Sequence, residues 1–452
     1  MKKLLWSSFL FLSLLVITAC DNDSKSSTSN PLNPGDGEYN EFEYNYAFLY
    51  FYYYKAGTEL KSAEYYTRNV DTSEYIPSVQ DVADVLFMYE DMSDHFTNYY
   101  PSIYFDELWA LLTESESNKT VGMAVDSTLT VKRVYPNSSA YSAGVKKGDI
   151  VIAVDSIFLE GNYDRYTKLV DSSSASTFEI LFDRGGDTLQ ISLLKTEILL
   201  PTVYLDSIKG IPIITVTEFT DSTSNVNGTS AEFAEILEET DGAKSTVLDL
   251  RGNPGGSVDQ CSDMAKMLLA RGDTIIRGTY AIPDKDYEVQ IDSAFVTVAT
   301  TNGIGKGRYY VLMLDSGSAS CSEIFAAAIT SNLKTPIVGE LSYGKGIGQF
   351  YIVTDANGIA GATSLRLFDK DGVSYHTYGF VPDFVIADPD SAMNEAIKLA
   401  QKGTYKRTAG YGTTPLSHWT GPKDKKAEGP ASIKNFERDG AFKIIQLPKG
   451  HL

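Results

Sequence analysis

The sequence predicts an α/β core with a small β-rich domain inserted ahead of it and a helical segment in front of both. Three observations carry this expectation. Residues 201–400 alternate strand-like and helix-like runs in β-loop-α order, the pattern of parallel strands joined by crossover helices. Residues 116–200 hold only short apolar runs broken by turn residues, as a small β domain does. Residues 41–115 are rich in aromatics and repeat apolar side chains at helical spacing.

The elements follow in chain order. Lys2 and Lys3 precede the apolar run LLWSSFLFLSLLVITAC, the build of a secretory signal over residues 1–19. An uncleaved membrane anchor is the alternative, since the run approaches spanning length. Its end, Ile17-Thr18-Ala19-Cys20, resembles the bacterial lipoprotein cleavage motif. That resemblance implies a lipid on Cys20 and a place in the bacterial cell envelope, tethered to a periplasmic or outer, cell-surface face. Residues 20–40 are polar, with Ser, Asn, Pro and Gly, and read as a flexible tether.

In the 41–115 region, Val79, Val82, Ala83, Leu86 and Tyr89 mark one helix, and Phe105, Leu108, Trp109 and Leu112 a second. The β domain at 116–200 contributes the runs VGMAV, LTVKRVY, DIVIAVD, FEILF and TLQISLL, with a short helix at SAYSAGV. In the core, STVLDLR leads into Gly252-Asn253-Pro254-Gly255-Gly256 and the helix VDQCSDMAKMLLARG. YYVLMLD then leads into the helix SEIFAAAITSN, and TPIVGE is a further strand. Residues 401–452 are basic, rich in Gly, Pro and Lys and without periodicity, and read as a loose tail.

The formal net charge of −20 excludes a nucleic-acid partner, which needs a concentrated basic surface. The three cysteines, Cys20, Cys261 and Cys321, have no metal-binding spacing, so neither a metal nor an organic cofactor is expected. Cys261 and Cys321 read as unpaired, with a bridge in an oxidising compartment as the alternative, because sequence does not set the Cα distance a bridge needs.

The chemistry concentrates in GSASCSEIFAAAI, Gly317–Ile329, where three serines and a cysteine precede a helix. Ser320 falls between a buried strand and that helix, next to amide donors and a helix N-terminus suited to an oxyanion. A serine needs a base. The four histidines, His95, His376, His418 and His451, stand in no triad context. Lys345, between Gly344 and Gly346, is a second candidate, since burial lowers a lysine's pKa and Ser-Lys pairs replace Ser-His-Asp in some hydrolases. The alternative for a single lysine is a solvated surface charge.

GSASCSEI followed by VGELSYGKGIGQ resembles the paired signature of the carboxyl-terminal processing peptidases, or tail-specific proteases. The resemblance extends to VLDLRGNPGG at 247–256, to SDHFTNYY at 93–100, where Phe96 departs from the pattern, and to Gly379-Phe380-Val381-Pro382-Asp383. PNSSAYSAGVKKGDIVIAVD resembles the PDZ domain that this family inserts. The resemblance implies a ClpP/crotonase-like core over 201–400 and a PDZ domain over 116–200. It implies Ser320 as nucleophile, Lys345 as general base 25 positions later, and Gln349 as its orienting partner. Gly255 or Gly256, with the amide of Cys321, is the implied oxyanion hole. Val121, Gly122, Met123, Ala124 and Val125 are the implied carboxylate-binding loop and edge strand of the PDZ domain. Cys321 stands where the family has a small residue and is a rival nucleophile that the Ser320–Lys345 spacing disfavours.

The expected function is therefore a serine endopeptidase that recognises apolar protein C-termini through its PDZ domain. A non-catalytic PDZ scaffold and a membrane-tethered ligand-binding protein are the alternatives. Each predicts a spoiled catalytic pair or glycine loop, and both are intact.

Overall fold

The computed structural model describes residues 40–67, 77–115, 117–285, 289–354, 356–412 and 444–445. The signal segment, Cys20 and all of the tether except residue 40 lie outside the described residues, as does most of the tail. The chain divides into two compact units: one is built from Glu114–Thr202 and Thr220–Glu232, and the other holds the rest.

The larger unit contains two sheets. The first runs in the order Val203–Ile208, Ile211–Val216, Ser245–Asp249, Tyr309–Leu314, Ile337–Gly339, Phe384–Val385. Its neighbours pair in parallel except for the first two, which form an antiparallel pair. The central strands Ser245–Asp249 and Tyr309–Leu314 are buried almost throughout because both faces are covered. Leu248, Leu312 and Leu314 share a core with helices Val258–Leu268 and Cys321–Leu333. Val247, Val311 and Met313, pointing the other way, pack with Ala392, Ala396 and Ile397 of helix Pro389–Lys402.

The second sheet corrects the reading of residues 201–400 as a simple alternation of strands and helices. Strands Gln290–Val298, Thr274–Pro283, Ile359–Phe368 and Ile347–Val353 form an antiparallel run. Asn98–Tyr100 adds to Ile359–Phe368 antiparallel, and Ile444–Ile445 adds to Ile347–Val353 in parallel. These partners lie far apart in sequence, so no local period announces them. The period-2 exposure of Gln290–Val298 is nevertheless that of a strand with one wet face.

The two helices marked between 41 and 115 are present as Pro77–Asp91 and Phe105–Thr113, and a further helix, Glu41–Tyr52, precedes them, with two single-turn helices between it and Pro77–Asp91. Asn40 caps Glu41–Tyr52, and Glu43 completes a capping box. The Gln290 amide ties this helix to the second sheet by donating to the carbonyls of Tyr50, Phe51 and Tyr53.

The first part of the presumed loose tail is pinned. Buried Asp383 accepts from the Thr408 and Ala409 amides and pairs with Arg407 at 3.0 Å. Tyr411 donates to Asp369 at 2.7 Å.

The smaller unit holds the sheet Ile157–Phe158, Ile150–Val154, Thr177–Arg184, Asp187–Leu194 and two further strand pairs. Its core is formed by inward residues of alternating strands, among them Val151, Phe178, Ile180 and Phe182. Thr220–Glu232 also belongs to this unit, a return that the contiguous 116–200 reading does not include.

Candidate active site

The turn between strand Tyr309–Leu314 and helix Cys321–Leu333 assigns different work to its three serines. Ser318 Oγ donates to the Leu250 carbonyl at 2.8 Å and accepts from the Asp315 amide at 2.9 Å. Ser322 Oγ donates to the Asn253 carbonyl at 3.0 Å. Both therefore fasten this turn to the glycine-rich loop. Ser320 is held at φ +54°, ψ −112°, a conformation costly for a residue with a side chain. That strain sits at the helix N-terminus, where a nucleophile benefits from nearby amides.

Lys345 is not a surface charge: its exposure is 0%. Its Nζ donates to Gln349 Oε1 at 3.1 Å and lies 4.1 Å from the centroid of the Phe96 ring. Gln349 is oriented in turn by donating from Nε2 to Thr363 Oγ1 at 3.0 Å. Thr363 is the strand partner of Gln349, and its amide donates to Thr97 Oγ1 at 3.0 Å. Thr97 Oγ1 donates to Asp94 Oδ2 at 2.8 Å.

One carboxylate joins the nucleophile to the lysine loop. Glu323 Oε2 accepts the Ser320 amide at 3.1 Å and the Lys345 amide at 2.7 Å. Its Oε1 accepts from Ser342 Oγ at 2.6 Å and from the Gly344 amide at 2.7 Å. Burial pushes this carboxyl up to about 7 against the four donors, which favour the ionised form. Sequence reasoning did not single out Glu323. Its signal was the Ser-x-x-Glu spacing at a helix start, the capping-box pattern.

His376 was also passed over. It backs the lysine turn, because a Cβ on Gly346 would stand 2.9 Å from the His376 amide nitrogen. Burial, and to a smaller extent the Lys345 charge, pushes its imidazole down to about 4.

The glycine loop explains its own composition. Gly255 has φ +110°, and a Cβ there would stand 2.8 Å from Ser320 Cβ and 3.0 Å from the Cys321 nitrogen. The Gly255 amide, however, already donates to Asn253 Oδ1 at 2.8 Å. The Gly256 and Cys321 amides make no hydrogen bond among the described residues.

The unpaired reading of the cysteines is corrected. Cys261 and Cys321 form a disulfide with a Cα–Cα distance of 5.9 Å across 60 residues of sequence. Tertiary packing of two helices, which sequence spacing does not encode, brings them together. With its sulfur in that bond, Cys321 offers no thiolate to rival Ser320.

Ser320, Lys345, Gln349, both glycines and Cys321 thus meet in the larger unit. Val121–Val125 lies in the smaller one. There Gly122, at φ +92°, packs against Ser138, and its carbonyl accepts the Tyr135 amide at 2.9 Å. Met123–Val125 pairs with Val131–Val134 on one edge, and its other edge has no strand partner among the described residues.

Comparison with known proteins agrees with this geometry. Residues 210–386 match the model of peptidase family S41, and residues 130–184 match a PDZ domain. A probable CtpA-like serine protease of Staphylococcus haemolyticus is 26% identical over 265 residues, 58% of this chain and 51% of that protein. The carboxy-terminal processing protease CtpA of Bacillus subtilis is 27% identical over 288 residues, 62% of this chain and 58% of that protein. The chain thus spans little more than half the length of these two relatives. A solved structure of a photosystem II D1 C-terminal processing protease is similar with a TM-score of 0.48 and 20% identity, covering 80% of this chain and 97% of that one. The segment that contains Ser320 and Lys345 is thus similar to the catalytic domain of peptidase family S41, and a PDZ-like domain precedes it in the chain.

Proposed function

We propose that the protein is a serine endopeptidase that cuts proteins or peptides near their C-termini with a Ser320–Lys345 dyad. The observation that carries this reading is the seat of Lys345. It is fully buried, hydrogen-bonded to Gln349, and fixed by the same Glu323 oxygen that holds the Ser320 amide. Burial favours the neutral amine, which is what a general base requires.

The substrate tail adds to the open edge of Met123–Val125, and its carboxylate is received by the Val121–Val125 loop. Neutral Lys345 takes the Ser320 proton, and Ser320 Oγ attacks a peptide carbonyl. The oxyanion is held by the amides of Cys321 and Gly256, since the Gly255 amide is committed to Asn253. Lys345 then protonates the leaving amine, and water releases the acyl-enzyme. Apolar C-termini suit main-chain pairing plus one apolar pocket. Acylation of Cys20 places the enzyme on the cell envelope, facing unfolded or secreted chains.

The test is cleavage of an unfolded protein bearing an apolar C-terminus, by the chain from residue 21 and by its Ser320→Ala and Lys345→Ala variants. Both variants are expected to lose roughly four orders of magnitude in kcat while remaining folded. Cleavage surviving Ser320→Ala would overturn the nucleophile assignment, and a parent that binds the tail peptide without cutting it would favour a scaffold.

A further inference from the structure

Phe96 is the residue at which SDHFTNYY departs from the family pattern, and the fold places it against the base. Lys345 Nζ stands 4.1 Å from the centre of its ring, inside the range of a cation–π contact. Phe96 is 3% exposed, so the contact is shielded from water. The ring is also held in place. The Phe96 amide donates to Asp94 Oδ1 at 3.1 Å, and the same carboxylate accepts from Thr97 Oγ1. Thr97 receives the amide of Thr363, whose hydroxyl orients Gln349. The Gln349 oxygen and the Phe96 face, both against Lys345 Nζ, are therefore set by a single chain of hydrogen bonds.

We propose that Phe96 is a positioning residue for the general base: its ring seats the Lys345 amine and sets how readily that amine gives up its proton. This rests on the Ser-Lys reading above. A ring face attracts the ammonium and not the neutral amine. It therefore opposes the effect of burial and keeps the base from becoming too weak a proton acceptor as Ser320 attacks. Gln349 Oε1 works in the same direction by accepting a proton from Nζ. The titratable groups on the surrounding elements are Asp94 on the ring's own loop, Glu323 on the nucleophile helix and His376 behind the lysine turn. Lys55 acts on His376 from the N-terminal segment. None of them is altered when only the ring is exchanged.

The experiment compares the parent with Phe96→Leu and Phe96→Tyr, reading kcat and KM across pH on a peptide with an apolar C-terminus. The acid limb of kcat/KM reports the base of the free enzyme. Loss of the ring is expected to move that limb to lower pH by roughly half a unit or more, the equivalent of a shielded cation–π contact. It should also lower kcat several-fold with KM unchanged, and Phe96→Tyr should restore both. An acid limb that stays in place in Phe96→Leu, whether or not kcat falls, overturns the proposal, because a purely structural role predicts that result. The Lys345 amine is followed in parallel by NMR titration in the Ser320→Ala background, with Phe96 and with Leu at 96. This readout needs no turnover. If the parent proves inactive, the Ser-Lys reading fails while the titration still decides on Phe96: a downward shift supports it, and coincident curves overturn it.

Discussion

Two strand-to-helix turns leave neighbouring parallel strands of the same sheet, and they solve one problem with different residues. Ser245–Asp249 runs through residues 250–257 into helix Val258–Leu268, and Tyr309–Leu314 runs through residues 315–320 into helix Cys321–Leu333. The first turn takes its positive φ values at Gly252, Gly255 and Gly256. The second takes one at Ser320. Glycine enters such a region at little steric cost, whereas serine is strained there by roughly 1–3 kcal/mol. The glycine turn needs only its backbone, to approach Ser320 and present an amide. The serine turn carries a side chain at the strained position, and that side chain is the proposed nucleophile. Of these two turns, only the one built on Ser320 places a non-glycine residue in this region.

The largest effects come from exchanging the two solutions. Ser320→Gly should abolish turnover, by roughly four orders of magnitude or more, and yet raise stability by about 1 kcal/mol as strain is released. Ser320→Ala should be equally inactive without the gain in stability, so equal urea midpoints for the two variants would remove strain from the account. In the other turn, Gly255→Ala would bring a methyl 2.8 Å from Ser320 Cβ and 2.9 Å from the Ala319 carbonyl oxygen. A loss of roughly 100-fold in kcat is expected from displacing the nucleophile. Gly252→Ala, which meets no atom within 4 Å, is the control and should cost stability alone.

A smaller effect sharpens the link between the two turns. The Cys261–Cys321 disulfide joins the helices that follow them. Its removal by Cys261→Ala should lower stability by about 2–4 kcal/mol. Reductant should lower the urea midpoint of the parent and leave that of Cys261→Ala unchanged; identical responses in both would mean that the bridge carries no stability.

The smallest effect is a pH dependence. Burial raises the Glu323 carboxyl from 4.5 to about 7. The folded state then holds a proton that the unfolded chain has lost. Its contribution to stability is complete below roughly pH 4.5 and is lost as pH rises through about 7. His376, lowered by burial from 6.5 to about 4, has the opposite sign: its contribution is complete above about pH 6.5 and is lost as pH falls through about 4. Between pH 5 and 6 the two oppose each other, each by at most about 1.4 kcal/mol per pH unit. Glu323→Gln should therefore leave stability rising with pH and His376→Gln should leave it falling. Urea midpoints at both pH values check this, and an unchanged slope in Glu323→Gln would count against a buried, raised carboxyl.

Legibility in the sequence followed the length scale of each interaction. Helix Cys321–Leu333 and the strands on either side could be read because apolar runs and turn residues act locally. Ser320, Lys345 and Gln349 could be read because each stands in a short, distinctive setting. Glu323 was readable as a cap, but its four donors come from two turns nineteen to twenty-two residues apart from it or adjacent to it. The second sheet was missed because strands Thr274–Pro283 and Ile359–Phe368 meet only through long-range register.

By itself, then, the sequence determined the order of the domains, the strand-to-helix turns and the pair proposed to react, since these rest on local conformational preference and on side-chain chemistry. Only the tertiary structure decided that Cys321 is bridged rather than reactive, that the Gly255 amide is already committed to Asn253, and that Phe96 lies under the base. Each of these depends on a separation of a few ångströms between groups that packing, and not chain proximity alone, brings into register. At that range a hydrogen bond, a disulfide or a cation–π contact either forms or does not.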